Sequence, residues 1–167
     1  MTGEIISKGN IQSMLNYSKS CTRYCFFKLF SYCDSLITAP ILSATTLNVY
    51  CYMRMFEYCT NLTNPPELPA QQLAARCYSY MFYNCTNLIR TPILHAIVLS
   101  ANCYEYMFYN CQNLTTASQL PATILNGSCY RYMFYGCSSL LVAPTLNASI
   151  LAIECYNCMF FNCSSLT

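Results

Sequence analysis

Apolar and polar positions along this chain follow a pattern with a strict 26-residue period. Each copy opens with a Cys, carries an apolar pair such as Met-Phe four residues later, and has a second Cys eight residues after the first. A Leu follows three residues after that second Cys. A strict period of this length is typical of repeat arrays in which each copy packs on its neighbours. The opening cysteines are Cys25, Cys51, Cys77, Cys103, Cys129 and Cys155.

Two kinds of secondary structure are expected within one copy. The apolar residues between Leu73 and Leu88 are spaced by one, three and four, which predicts a short helix with one buried face. Pro92 follows in a short extended segment, because proline keeps the residue before it out of the helical region. The pattern therefore predicts an α/β repeat solenoid, a leucine-rich-repeat rod with one short helix and one short parallel strand in each 26-residue repeat. At about 4.8 Å for each strand, five copies make a ladder about 25 Å long.

The period divides the chain into three parts. Five full repeats cover residues 25–154, and residues 155–167 form a partial sixth repeat. Residues 1–24 do not fit the period, and we interpret them as an N-terminal cap, with a flexible lead-in as the alternative. The partial repeat stays apolar at Phe160 and Phe161. We consider both an assembly surface at this place and truncation of a longer chain.

The repeat motif resembles a known family. Its form M-F-x-x-C-x-x-L, seen at Met81–Leu88, is similar to that of BspA-like leucine-rich-repeat surface proteins of host-associated bacteria and gut bacteriophages. The resemblance implies a leucine-rich-repeat rod used for adhesion or binding, and it implies no catalysis. This chain departs from the common pattern in the Cys-Tyr that opens most copies and in its 26-residue length.

Composition narrows the functional classes. Of 167 residues, 55% are hydrophobic and 8% charged, which is opposite to the composition of disordered chains. A net charge of +2 without a basic run indicates no nucleic-acid partner. The apolar runs are too short to insert into a membrane, and Glu4 and Lys8 interrupt any signal-peptide core. We expect a protein of the extracellular surface or of a virion, without a signal peptide in this chain.

The 14 cysteines allow several interpretations. Two cysteines eight residues apart on a helix are separated by about 12 Å, too far for a disulfide. Equivalent cysteines of neighbouring copies would lie about 5 Å apart, so pairing between copies stays open. We favour buried free thiols that act as small apolar residues. Cys155 and Cys158 form a lone C-x-x-C without further suitable ligands, so we expect no metal and no cofactor.

A tyrosine ridge is the first candidate binding site. Tyrosines recur at two positions three residues apart, and such positions share one helical face. Tyrosine offers rigid contact area with a polar tip, and it suits stacking on sugar rings. The alternative is that these rings only pack against one another. The ridge comprises Tyr80, Tyr83, Tyr106, Tyr109, Tyr132 and Tyr135.

The strand face, whose outward residues differ between copies, is the second candidate binding site.

The sequence contains no recognisable group of catalytic residues, because the single His95 cannot activate a dozen equivalent cysteines and no two acidic residues form a pair. We therefore expect a non-enzymatic binding or adhesion protein that engages protein or glycan partners on a host surface. The alternative is a structural subunit of a phage tail, fibre or capsid decoration that assembles with other virion subunits through Phe160 and Phe161.

Overall fold

Regular secondary structure is sparse in this chain. The computed structural model describes residues 5, 6 and 9–167, so residues 1–4, 7 and 8 of the expected cap, including Glu4 and Lys8, lie outside the described residues. The elements are β1 (Ile5–Ile6), a 3₁₀ helix (Ile11–Leu15), β2 (Leu36–Thr38), β3 (Val98–Leu99) and β4 (Ile124–Leu125). Strand β1 pairs in parallel with β2, and β3 pairs in parallel with β4.

The predicted helix in each repeat is wrong. The segment from the first to the second cysteine of each repeat, such as 51–59, is called the Cys-to-Cys segment, and it forms consecutive turns. Its backbone N–H groups donate alternately to a carbonyl of the same turn and to a carbonyl of the next repeat. The N–H of Met55 donates to the carbonyl of Tyr52, three residues back, at 3.2 Å. The N–H groups of Tyr52 and Arg54 instead donate to Cys77 and Ser79 of the next repeat, both at 3.0 Å. Half of the donors that an α-helix would use internally therefore join neighbouring repeats.

Left-handed backbone conformations make this alternation possible. In the second repeat Tyr50, Arg54 and Tyr58 have φ values of 61°, 57° and 59°. The same three positions are left-handed in the other copies, with Asn and Gly frequent at the third of them. One left-handed residue in every four gives a period close to the 3.6 of a helix. The apolar spacing alone therefore could not distinguish the two structures.

The core consists of side-chain columns that run across the repeats. Rings of the buried Tyr column stack on their neighbours at centroid distances of 5.8–5.9 Å from Tyr52 to Tyr156, and the neighbouring Phe column stacks at 5.5–5.7 Å. Aromatic pairs of this kind contribute about 0.5–1.5 kcal/mol beyond area burial. The members of the buried Tyr column are Tyr52, Tyr78, Tyr104, Tyr130 and the half-buried Tyr156.

The second cysteine of each repeat has a specific structural task. The Cys85 thiol donates to the carbonyl of Phe56 at 3.0 Å, and the Cys111 thiol donates to that of Phe82 at 3.2 Å. A thiol is small enough for the tight column, and it donates a second hydrogen bond to a carbonyl that already accepts a backbone N–H within its own turn, as the Phe56 carbonyl does from Cys59. All fourteen cysteines are free.

Parallel pairing, expected for the extended part of each repeat, occurs in short stretches. β3 and β4 align Val98 with Ile124, and single bridges join Arg90 to Thr116 and Ile124 to Ile150. Residues 9–24 pair in the same way with the following repeat, through Asn10 with Ile41 and Ser20 with Thr46. Within the described residues, no helix has the length and apolar character needed to cross a membrane.

Replacement of Arg76, which has a φ of 57°, distinguishes the turn structure from a helix. We expect Arg76→Gly to be more stable than Arg76→Ala by about 1 kcal/mol, because glycine adopts the left-handed conformation without a Cβ clash. A helix would favour alanine by a similar amount. Both variants lose the Arg76 guanidinium and differ only in the Cβ, so urea denaturation of the pair isolates the backbone effect. Greater stability of the alanine variant would contradict the turn assignment.

Candidate binding surface

The six predicted ridge tyrosines lie together in two stacks on one side of the turns. Tyr80, Tyr106 and Tyr132 form the first stack, with centroid distances of 4.5 and 4.7 Å between neighbours. Rings in the second stack, Tyr83, Tyr109 and Tyr135, are 4.7 and 4.6 Å apart. All six side chains are half-buried.

The two stacks also contact each other. Tyr80 and Tyr83 have tilted rings at 5.6 Å, and Tyr106 and Tyr109 repeat this contact at 5.5 Å. The first stack arises from a left-handed position, since Tyr80 has a φ of 58°, and the second from a residue three positions later. The turn, and not a helix, brings these two positions to one face. We call this surface the tyrosine surface.

Stacking determines which parts of the rings a partner can reach. The rings of Tyr83 and Tyr109 are within 7° of parallel, and those of Tyr80 and Tyr106 within 10°. The middle rings, Tyr106 and Tyr109, are therefore covered on both faces by their neighbours. A partner meets ring edges and hydroxyl groups, so the geometry disfavours the expected stacking of sugars on these two ring faces.

Aromatic contacts continue toward the N-terminal repeats through residues that the sequence interpretation missed. Tyr58 stacks on Tyr32 at 4.6 Å and contacts Tyr83 at 5.6 Å with tilted rings. The separation of Tyr58 and Tyr83 is one position short of a full period, so they occupy different positions of the repeat. Aligning the copies at the 26-residue period hides this neighbour relation. The backbone bond from Tyr58 to the Tyr83 carbonyl, at 2.8 Å, is the structural reason for it.

Charged side chains border the tyrosine surface. The guanidinium of Arg54 lies 4.1 Å from the Tyr80 ring centroid, and that of Arg131 lies 5.1 Å from the Tyr132 centroid. Glu105 is buried and lies 3.9 Å from both Arg76 and Arg131. The sequence carries one signal of this ion pair, since Glu105 and Arg131 occupy the same position of successive repeats.

A second ion-paired carboxylate, that of Glu57, contacts Arg54, whose guanidinium also lies over the Tyr80 ring. Glu57 is buried, pairs with Arg54, and has the Lys28 ammonium at 4.0 Å. Burial raises the pKa of the Glu105 carboxyl, and the Arg76 charge acts in the opposite direction. Each of these two carboxylates lies within 4.0 Å of two basic side chains and therefore offsets only part of their positive charge.

Four hydroxyls of the tyrosine surface have raised pKa values and stay protonated over the neutral and mildly alkaline range. Burial raises the pKa of Tyr83 to about 12 and that of Tyr106 to about 12. Burial also raises the pKa values of Tyr80 and Tyr109. Neutral phenols both donate and accept hydrogen bonds. The surface therefore presents closely spaced O–H groups, flanked by guanidinium donors.

The strand face, the second candidate, exposes several large apolar side chains. Val98, Ile124 and Ile150 align across successive repeats, and each exposes a third or more of its area. Ile41 and Ile93 expose 60% and 58%. The same position holds Glu67, Gln119 and Thr145 in other copies. The face is thus apolar in places and lacks the regular stacks of the tyrosine surface.

Phe160 and Phe161, the predicted assembly residues, extend two existing stacks. Phe160 is half-buried and stacks on Phe134 at 5.7 Å, and Phe161 stacks on Tyr135 at 5.1 Å and exposes 54% of its area.

His95 and Cys158, two further residues considered from the sequence, are exposed. Across residues 9–167, no group of three or more His, Cys, Asp or Glu residues is arranged to hold a metal ion.

Alkaline unfolding tests the buried character of the tyrosine hydroxyls. Folded Tyr83 keeps its proton to about pH 12, whereas the usual tyrosine pKa is 10.0. The unfolded chain binds fewer protons between these values, so the free energy of unfolding falls as pH rises through them. Tyr83→Phe keeps the stacked ring and lacks the titrating group. We expect urea denaturation across a pH series to show a smaller alkaline loss for this variant, and an equal loss would contradict a raised Tyr83 pKa.

Comparison with known proteins assigns this chain to no family. No protein-family model, no curated protein and no solved structure matches this sequence or fold.

Proposed function

We propose that this chain is a non-enzymatic leucine-rich-repeat binding or adhesion protein of a cell or virion surface. Its repeats form a solenoid rod, and the tyrosine surface engages a protein or glycan partner. The observation that carries the proposal is the pair of tyrosine stacks, in which six half-buried rings present their edges and hydroxyls on one side.

Preorganisation is the first argument for binding at the tyrosine surface. Each ring stacks on at least one neighbour at a centroid distance of 4.5–4.7 Å, and the middle rings Tyr106 and Tyr109 are held between two. Side chains that are already ordered lose little rotational freedom when a partner binds. Tyrosine also combines a large contact area with a hydroxyl that can donate or accept. Stacked tyrosines therefore suit recognition as well as stability.

The available groups define the chemistry of the partner. Aromatic ring edges are electropositive, the phenols donate hydrogen bonds, and Arg54 and Arg131 add guanidinium donors. A partner with closely spaced oxygen acceptors fits this surface. Sugar hydroxyl and ring oxygens have this chemistry, and so do the carbonyls of an extended polypeptide. The partner would lie along the stacks, perpendicular to the ring planes.

The parallel register of the repeats supports the solenoid part of the proposal. Backbone bonds join equivalent or nearly equivalent positions of adjacent copies from the first repeat to the last, for example Phe26 to Cys51 and Phe134 to Met159, both at 3.0 Å. The motif at Met81–Leu88 adds the resemblance to BspA-like surface proteins, which are binding proteins. The strand face remains the alternative binding surface of the same rod.

A glycan array followed by matched variants tests the proposal. The full chain is applied to immobilised neutral and acidic oligosaccharides, and binding to any positive glycan is then quantified. The triple variant Tyr80→Phe, Tyr106→Phe, Tyr132→Phe keeps the rings and removes three hydroxyls. We expect its affinity to fall by at least about tenfold, since each lost hydrogen bond costs about 0.5–1.5 kcal/mol.

The matched control makes the same chemical change away from the surface. Tyr78→Phe, Tyr104→Phe and Tyr130→Phe remove three hydroxyls from the buried column and should leave affinity unchanged while circular dichroism stays the same. Unaltered binding by the surface variant would contradict recognition through the tyrosine surface. A loss of binding restricted to variants of Ile93 and Val98 would move the site to the strand face.

We also propose, as the second candidate function, a structural subunit of a phage particle that assembles through Phe160 and Phe161. The supporting observation is the exposure of Phe161 beside a ring stack that another aromatic side chain could extend.

Light scattering behind a sizing column, under reducing conditions and over a concentration range, tests assembly. A defined oligomer that Phe160→Ser and Phe161→Ser together convert to the 19.0 kDa monomer is the expected result. The exposed Ile93→Ser is the control and should leave the mass unchanged. A monomer at all concentrations would contradict assembly through these residues.

A further inference from the structure

Tyrosines stack on equivalent tyrosines of the next repeat at two different distances. In the buried Tyr column, the ring centroids of Tyr78 and Tyr104 lie 5.8 Å apart, and each residue has 1% of its area exposed. On the tyrosine surface, the centroids of Tyr80 and Tyr106 lie 4.5 Å apart, and both side chains are half-buried. The surface rings are therefore closer to each other than the buried rings, and solutes can reach their edges.

Both stacks of the tyrosine surface share this geometry. In the first stack, neighbouring centroids are 4.5 and 4.7 Å apart and the ring planes lie within 14° of parallel. In the second stack, the distances are 4.7 and 4.6 Å and the planes lie within 7° of parallel. The same arrangement recurs nearer the N-terminus, at 4.7 Å between Tyr24 and Tyr50 and at 4.6 Å between Tyr32 and Tyr58. Each of these pairs places one ring over the equivalent ring of the adjacent repeat.

Face-to-face stacking suits the coupling of two tyrosyl radicals. A tyrosine that loses one electron and its phenolic proton becomes a radical whose unpaired electron is shared by the oxygen and by the ring carbons ortho and para to it. This electron occupies the π system, so a new bond forms from the face of one ring to the face of another. The para carbon carries the rest of the side chain, whereas the ortho carbons are free to react. Two such radicals in one stack are already neighbours, which gives them a high effective concentration.

We propose that the tyrosine surface is a site of oxidative modification, at which a haem peroxidase acting with hydrogen peroxide joins stacked tyrosines of adjacent repeats as dityrosine. Between the third and fourth repeats, the reacting pairs are Tyr80 with Tyr106 and Tyr83 with Tyr109. The product is a covalent bond between repeats that are otherwise joined by backbone hydrogen bonds and packing. The modification depends only on the positions of the rings and is independent of the proposed binding function.

The reaction is a two-electron oxidation of one tyrosine pair. Each tyrosine gives up one electron and its phenolic proton. Hydrogen peroxide, bound to the peroxidase, takes up both electrons and both protons as its O–O bond breaks, and it becomes two molecules of water. The two tyrosyl radicals then form one C–C bond between their ortho carbons. The hydrogen on each of these carbons leaves as a proton and each oxygen takes up a proton from solvent, which restores both phenols.

Peptide mapping of the full chain tests the coupling. Trypsin cleaves after Arg76, Arg90 and Arg131, so the ring stacks of the tyrosine surface are divided among peptides 77–90, 91–131 and 132–167. The folded chain, at low concentration, is treated with a haem peroxidase and hydrogen peroxide. The digest is then reduced, which breaks any disulfide, and is analysed by mass spectrometry. We expect peptide 91–131 to be linked to 77–90 and to 132–167, with each linked pair two hydrogen atoms lighter than the sum of its peptides.

Matched variants locate the bond. The double variant Tyr80→Phe, Tyr83→Phe keeps both rings and removes the phenols that form radicals. We expect it to lose the link of peptide 77–90 and to retain the link between 91–131 and 132–167, which also reports that the chain is folded. Tyr78→Phe makes the same change in the buried Tyr column and should retain both links. Fragment ions of the wild-type product should place the bond in peptide 77–90 at Tyr80 or Tyr83.

Three results would overturn the proposal. Fragment ions that place the bond at Tyr78, or a link of peptide 77–90 that persists in the double variant, would assign the coupling to the buried column. Links only between separate chains, seen as a dimer on a denaturing gel, would show that the stacked neighbours do not react with each other. Absence of dityrosine from the oxidised wild-type chain would exclude the modification itself.

Discussion

The alternation of backbone donors between the turn and the next repeat is the constraint on which the structure depends. Every second N–H of the Cys-to-Cys segment bonds to a residue three positions back, and the others bond across to the neighbouring copy. This pattern requires a left-handed residue at every fourth position, at a cost of roughly 1–2 kcal/mol for each residue with a side chain. The bonds across copies, and the columns that they align, offset that cost.

Alignment of the columns explains the unusual composition. Equivalent residues of adjacent repeats lie close enough for rings to stack, so Tyr and Phe are favoured at the same position in copy after copy. The second cysteine fits the tight column and its thiol donates to a carbonyl of the preceding copy, as Cys85 does to Phe56. Twelve of the fourteen cysteines and most of the sixteen tyrosines thus lie at positions that recur from copy to copy.

Departures from that rule mark the place where a binding function is proposed. At the tyrosine surface, the middle copies have Tyr where the first two have Lys28 and Arg54, which converts a charged border into stacked phenols. These half-buried side chains present hydroxyl groups that the core does not need.

The sequence alone determined the repeat, its 26-residue period and the alignment of Tyr80 with Tyr106 and Tyr132, because copies in register place equivalent side chains in line. The columns of buried Leu, Met and Phe follow from the same periodicity. The tertiary structure decided that the backbone forms turns instead of helices, since a period of four resembles a period of 3.6 over so few residues. It also decided that Tyr58 contacts Tyr83 and that Glu105 lies between Arg76 and Arg131. Those contacts depend on the backbone path between copies, which no spacing along the chain reveals.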